Sequence, residues 1–438
     1  MSQFRGKLFF SQILRVALFS IPMTLIGCTQ LPVISTATTA RLMTVSIQAG
    51  ETIQTLATKY DARVLTFHPE TGQAVLALSS ERAARLSREA FDATDPNENT
   101  LESQQDTEAA AAVNSNMSGW TSWASGWSVY GSGLAADLVT SATSSLNYLS
   151  WNKILLPQAL ALAPKAGSGV IVAVIDTGID LVHPAFNGRL VSSNQMWDFV
   201  GNDATPQEVY VDSSSKGYGH GTCVAGIVAQ VAPNAKIMPL RVLGPTGSGN
   251  SEGVVAAIDW AVSHGAKVIN LSLGSQYLKS LDSEIGWATS NGVLVVSSTG
   301  NTGNTSVTFP AKDSQYSNEW GDLSVGVAST NLSDKKSSFS TYGNVEITAP
   351  GENILVPAPN LRVASWTGTS MASPMVAGGF ALALGERSYS YTSLRELGDT
   401  MGDSADSLLT KDFTYGLRLG NGRINLQRFM QYAQSLPK

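Results

Sequence analysis

Between residues 170 and 298 the chain alternates short, unbroken apolar runs with longer stretches in which apolar residues recur every three or four positions. The runs are VIVAVID (170–176), AKIMPLRVL (235–243), AKVINLSL (266–273) and GVLVVSS (292–298), all rich in β-branched residues. Runs this short that are apolar at nearly every position suit strands covered on both faces. HGTCVAGIVAQ (220–230), SEGVVAAIDWAVSHG (251–265) and TSMASPMVAGGFALALG (369–385) carry helical spacing instead. Strands alternating with helices predict an α/β domain built on a parallel sheet, with ligand sites beyond the carboxyl ends of the strands.

Upstream the pattern changes. MTVSIQA (43–49) alternates like a strand, ETIQTLATKY (51–60) and SSERAARLSRE (79–89) suit helices, and Pro69-Glu70-Thr71-Gly72 marks a hairpin between them. Residues 41–92 therefore read as a small α+β unit ahead of the larger domain, which is expected over 150–438. From Asp92 to Glu108 the chain is acidic and polar, and no Lys or Arg occurs between Arg88 and Lys153. Residues 93–149 are a linker by composition. Within it Trp120, Trp123 and Trp127 recur among Ser and Gly, and they are expected to strap onto the neighbouring domain rather than to form a binding box.

Arg5 and Lys7 precede an apolar run that ends Leu25-Ile26-Gly27-Cys28, the layout of an export signal over residues 1–27. Its end resembles a bacterial lipobox, which implies diacylation of Cys28 and a membrane anchor made of acyl chains; the alternative is an ordinary signal peptide containing a cysteine. No later run reaches the roughly 18 apolar residues of a membrane-spanning helix. The chain has 438 residues and a formal net charge of −6, against the basic footprint of a nucleic-acid binder. Only two cysteines occur. With Cys28 taken by lipid, Cys223 has no intrachain partner, and disulfides do not hold the fold.

The stretch Gly219-His220-Gly221-Thr222-Cys223-Val224-Ala225-Gly226 sets a histidine three residues from that cysteine. The pair could be metal ligands, a nucleophile with its base, or a base whose partner lies elsewhere. Asp176 closes the strand VIVAVID, His220 opens one helical stretch after a glycine-rich turn, and Ser370 opens another. No histidine follows Ser370, which rules out the order Ser, Asp, His for that serine. None of the other histidines has a second metal ligand at helical or loop spacing, so no metal site is expected. His183 belongs to a turn, His68 to the hairpin, and His264 to a helix end.

VAVIDTGIDLVHP around Asp176, GHGTCVAG around His220, GTSMASPMVAG around Ser370 and VVSSTGNTG (295–303) together resemble the active-site blocks of the subtilisin-like serine endopeptidase family. The resemblance runs over about residues 150–435 and includes the closing GNGRINLQRF. It implies the subtilisin-like fold, a parallel sheet flanked by helices, preceded by a small α+β, ferredoxin-like inhibitory propeptide. It also implies an Asp176–His220–Ser370 triad with Asn301 as one arm of the oxyanion hole, acting through an acyl-enzyme. Gly247-Ser248-Gly249 and Ser272-Leu273-Gly274 match the two segments that flank an extended substrate, with Thr299 and Gly300 beside them. Thr308 falls where many members have glycine at the floor of the primary specificity pocket, which implies a shallower pocket and smaller preferred side chains.

Two departures bear on calcium. His183-Pro184 is followed by Ala185 where calcium-dependent members carry a ligand aspartate, and the helical stretch after His220 has no calcium-loop insertion. The family's main calcium site is therefore expected to be absent, other weak sites staying open, and no cofactor is required. The expectation is an exported, monomeric endopeptidase of polypeptides: a cell-envelope lipoprotein restrained by its own propeptide and released when that unit is cut away. A pseudoenzyme that serves as a surface binding protein and a secreted esterase are the alternatives.

Overall fold

A computed structural model describes residues 41–89, 99–101, 109–111, 147–275, 277–315, 323–343 and 345–437. Cys28 and the three linker tryptophans lie outside these residues. Each of the four expected runs contributes a strand to a seven-stranded sheet. Its order is Ile347–Pro350, Ser324–Thr330, Leu294–Ser298, Val268–Leu271, Ile171–Asp176, Lys236–Arg241 and Trp197–Asp198. Every neighbouring pair is parallel.

The sheet explains why its runs show no polar alternation. Val172 and Val174 point into a core shared with the helices His220–Val231 and Thr369–Glu386. Ala173 and Ile175 point into a second core, under the helices Ser251–Ser263 and Lys279–Ser290. Side chains alternate between faces, but both faces are dry. Three strands carried no such signal. Ser324–Thr330 (SVGVAST) is buried at every position although four of its seven residues are Ser, Thr or Gly, and Ile347–Pro350 and Trp197–Asp198 are too short to show a period.

The small unit is a four-stranded antiparallel sheet with two helices. Its strand order is Arg63–His68, Gln73–Leu78, Arg41–Ser46 and Asn99–Leu101. The helix Ile53–Tyr60 starts at Thr52, whose hydroxyl accepts from the Thr55 N–H while Thr55 returns the bond in a capping box. Met43, Val45, Leu76 and Leu78 pack beneath Leu56 and Tyr60. From the opposite face of the sheet, Leu42, Val75 and Ala77 pack on Val255 of the helix Ser251–Ser263. The unit is thus seated on the larger domain by apolar contact, and Arg63 adds an ion pair to Glu252.

The segment expected to be linker is corrected at two places. Asn99–Leu101 completes the small sheet beside Met43–Val45, so the boundary at residue 92 falls short. Ala109–Ala111 forms a strand as well. Each piece is three residues long, too short for a periodic signal, and each is ordered by an edge that another part of the chain offers.

Candidate active site

The strands ending at Asp176, Leu271 and Ser298 are adjacent and parallel, so the segments that follow them leave the sheet at one edge. That edge collects Asp176, Ser272-Leu273-Gly274 and Thr299-Gly300-Asn301. Two helices begin above it, one with His220 and one with Thr369 and Ser370.

His220 Nδ1 bonds Asp176 Oδ1 at 2.7 Å, and both residues are buried. Asp176 Oδ1 also accepts from the Thr177 N–H at 2.7 Å. Burial pulls the imidazole pKa down, but the charge and hydrogen bond of Asp176, helped by Glu208, raise it overall. The glycines around His220 have separate reasons. Gly219 takes φ +90, a left-handed turn that starts the helix, and a Cβ on Gly221 would sit 2.1 Å from the Gly178 carbonyl oxygen. That approach brings the histidine helix against the turn after Asp176.

Behind the pair lies a carboxylate that sequence gave no reason to single out. Glu208 is buried, and its Oε1 accepts from Thr177 Oγ1 at 3.0 Å, from Thr222 Oγ1 at 3.1 Å and from the Thr222 N–H at 3.1 Å. Its Oε2 accepts from the Gly219 N–H at 3.0 Å. Glu208 therefore ties the turn after Asp176 to the turn that carries His220. Burial pushes its carboxyl up to about 7 against the pull of these donors.

Ser370 is the second residue of the helix Thr369–Glu386, and its Oγ donates to the Ser272 carbonyl at 3.4 Å. Pro374 sits inside that helix and has no N–H to give the carbonyl four residues back, that of Ser370. Ser272 Oγ fills the gap, donating to the Ser370 carbonyl at 3.0 Å. Asn270 Nδ2 donates to Ser272 Oγ at 2.9 Å, and Ser373 Oγ to Asn270 Oδ1 at 2.8 Å. A buried chain of polar contacts thus fixes the serine's helix to the strand beside it. Asn301 is oriented at the same place: its Oδ1 accepts from the Thr369 N–H at 2.9 Å and from Thr369 Oγ1 at 3.0 Å. With the oxygen engaged there, the amide NH2 end is fixed too.

A piece of the chain itself lies in the cleft. Ala109–Ala111 is the middle strand of an antiparallel sheet of three, between Ser248–Gly249 and Leu273–Gly274. Leu273 opposes Ala111, Gly274 opposes Ala110, Ser248 opposes Ala110, and Gly249 opposes Ala109. A Cβ on Gly249 would meet the Val242 carbonyl oxygen at 2.2 Å, so glycine there lets Ser248–Gly249 lie against the segment that follows the strand Lys236–Arg241. Thr308 lies against both Gly274 and Gly300, and its N–H bonds the Thr299 carbonyl at 3.3 Å. Ser248, Gly249, Leu273 and Gly274 thus flank the strand Ala109–Ala111, and Thr299, Gly300 and Thr308 gather beside Gly274.

The other expectations divide. His183 serves its turn, with Nδ1 accepting from the Ala185 N–H and Nε2 bonded to the Arg362 carbonyl. Cys223 is a free, buried thiol on the helix of His220, and burial pushes its pKa well above the ordinary value. No spacing in the sequence marks Asn270, Ser373 or Glu208. Thr177 and Thr222, inside the recognised blocks, hint at a shared partner, but a lone loop glutamate has no spacing that marks it as one.

The subtilase family model matches residues 167–422. Over 292 residues the chain is 39% identical to thermitase of Thermoactinomyces vulgaris, covering 64% of this chain and 94% of that protein. Over 227 residues it is 40% identical to subtilisin Savinase of Lederbergia lenta, covering 49% of this chain and 76% of that protein. A solved cold adapted subtilisin-like serine proteinase is 34% identical, with a TM-score of 0.50 over 59% of this chain and 89% of that chain. The parallel sheet, the blocks gathered at its carboxyl edge and these matches agree: the chain belongs to the subtilase family and is a serine-type endopeptidase.

Proposed function

We propose that the chain is an exported endopeptidase in which Asp176, His220 and Ser370 form the catalytic triad and Asn301 supplies one arm of the oxyanion hole. Neutral His220 takes the proton of Ser370 as Oγ attacks a peptide carbonyl, and Asp176 holds the ring tautomer and stabilises the imidazolium. The developing oxyanion is met by the Asn301 amide and the Ser370 backbone N–H; in subtilisin, loss of the corresponding asparagine costs about 10² to 10³ in turnover. His220 returns the proton to the leaving amine, and water then cleaves the acyl-enzyme. Imidazole, carboxylate and amide supply every proton and charge that these steps need, so no cofactor is invoked.

One observation carries this reading: the His220–Asp176 bond at 2.7 Å stands beside a cleft whose walls already pair with an extended strand of the chain's own sequence. The small unit with that strand is proposed as the inhibitory propeptide, and Cys28 as the lipid anchor that it carries. The strand register supports a particular processing bond. Leu273 opposes Ala111, and Ser272, the residue before Leu273, has the carbonyl that accepts from Ser370 Oγ. The Ala112–Val113 peptide is therefore the bond proposed to be cut in maturation, after which the catalytic domain separates from its anchor. Thr308 against Gly274 and Gly300 favours small or medium side chains in the primary pocket.

The test is hydrolysis of a fluorogenic peptide by wild type and Ser370→Ala, with N-terminal sequencing of the processed wild type. Turnover should fall on the order of 10⁶-fold in the variant, and the mature chain should begin at Val113. Persistent hydrolysis by the variant would remove the triad assignment, and a start elsewhere would remove the register. In peptide-library profiling, an overwhelming preference for Phe or Tyr would remove the shallow pocket.

A further inference from the structure

The hairpin of the small unit carries His68 into the seam between its sheet and the helices Ser251–Ser263 and Lys279–Ser290. The imidazole stacks on Trp287, with ring centroids 3.8 Å apart and an interplanar angle of 15°. Its Nε2 lies 3.0 Å from Glu284 Oε1 and 3.9 Å from Asp259 Oδ1. The three side chains come from three separate elements, and each offers one donor atom, all within 4.8 Å of one another. Glu284 is only 1% exposed, and among the described residues its buried Oε2 makes no hydrogen bond of good geometry, the Thr66 hydroxyl being its other polar neighbour beside His68. A buried carboxylate left so poorly satisfied costs several kcal/mol in principle unless a positive charge or a proton answers it. Burial accordingly raises the pKa of both Glu284 and Asp259.

We propose that His68, Asp259 and Glu284 form a binding site for a divalent metal ion, Zn²⁺ the best match, that staples the small unit to the catalytic domain. Imidazole nitrogen and carboxylate oxygen bind Zn²⁺ at about 2.0 to 2.2 Å, which places neighbouring donors about 3.3 Å apart in a tetrahedral site. The observed separations of 3.0 and 3.9 Å straddle that value. Calcium, which takes six to eight oxygens, and magnesium, which prefers oxygen and water, fit this donor set less well. A metal on Nε2 requires the ring proton on Nδ1, the nitrogen 3.8 Å from Glu70 Oε1. Glu70, itself held by Trp287 Nε1 at 2.6 Å, is thus the carboxylate beside that nitrogen, although 3.8 Å is outside direct hydrogen-bond reach. Asp259, with a side chain one-third exposed, leaves an open side for entry and for a water in the fourth position. Its charge balance is also apt, since one divalent ion offsets both carboxylates.

Metal binding stands on these residues alone, whereas its effect on peptidase activity rests on the inhibitory role proposed above. The two are separated by experiment. The full chain carrying Ser370→Ala, metal-free at pH 7.5, is titrated with Zn²⁺ against a chromogenic chelator. One equivalent should bind, with binding lost in His68→Ala and weakened at least tenfold in Asp259→Asn, a partly exposed position where the substitution preserves shape. No stoichiometric binding, or binding unchanged in Asp259→Asn, overturns the site. In the wild-type chain, a chelator should speed the appearance of activity. If zinc binds but chelation leaves that onset unchanged, the site stands and its role in restraint falls.

Discussion

Two buried glutamates divide the molecule's polar interior into two kinds of region. Glu208, behind the Asp176–His220 pair, accepts four hydrogen bonds from Thr177, Thr222 and Gly219. Glu284, in the seam beneath the small unit, has His68 bonded to one oxygen and, besides it, only the Thr66 hydroxyl as a weaker polar neighbour. Both are desolvated and both have raised carboxyl pKa values. The difference lies in what surrounds them. Glu208 is answered by donors fixed on the two loops that it joins, so it acts as a clamp within one domain. Glu284 is answered by a residue of a different unit, so its environment lasts only while the two stay together. The first glutamate belongs to a preorganised site and the second to a joint.

The largest effect should come from removing the clamp. Glu208→Ala leaves two hydroxyls and two backbone N–H groups without their acceptor, and each buried unsatisfied donor costs about 1 to 3 kcal/mol. Unfolding free energy is expected to drop by at least ~3 kcal/mol, with kcat/KM lowered by on the order of 10² as His220 loses its support. Urea unfolding and peptide hydrolysis measure both. A variant within ~0.5 kcal/mol of wild type, the range of an ordinary surface change, would contradict the clamp.

A subtler change separates the charge of Glu208 from its shape. Glu208→Gln keeps an oxygen for the donors on one side and removes the negative charge that helps raise the His220 pKa. In the proposed mechanism the base is the neutral imidazole, so kcat/KM should rise with pH through that pKa. The acid limb should therefore move to lower pH in the variant; no shift, or an upward one, would show that the charge does not reach His220. The same substitution tests stability. Because the folded pKa of Glu208 is raised, its contribution is fully present below the ordinary carboxylate range and is lost as pH climbs toward about 7. Glu208→Gln should gain on wild type between pH 5 and 8, by at most about 3 kcal/mol.

The contrast also explains what the sequence could tell. Asp176, His220, Asn301 and Ser370 each sit in a block whose neighbours dictate the local backbone, such as the left-handed Gly219 and the close approach of Gly221. Chemistry and turn are written together there, and the site is legible. Pro374 was visible too, but its consequence, a Ser370 carbonyl handed to Ser272, appears only once a strand lies beside the helix. Glu208 and Asn270 act through partners scattered over several segments, and no periodicity marks them. His68 and Glu284 are 216 residues apart, and their pairing depends on one folded unit docking on another. Ala109–Ala111 is ordered by a cleft rather than by its own preference. Local signals reveal groups that shape their own backbone; groups that depend on docking stay hidden.

Cys223 provides the smallest expected effect and sets a limit on the first region. It sits one turn beyond His220, yet it is fully buried, belongs to the apolar core around Val224 and Ile227, and its thiol pKa is pushed well above the ordinary range. A buried, protonated thiol behaves as a small apolar side chain. Cys223→Ala should therefore cost about 1 kcal/mol through the lost sulfur contacts while leaving kcat/KM within roughly twofold of wild type. The folded protein should also resist a small charged thiol reagent, because attack needs both exposure and a thiolate. Rapid labelling with loss of activity in wild type, absent in the variant, would mean that the His220 helix opens readily. The clamp made by Glu208 would then be far weaker than its four hydrogen bonds imply.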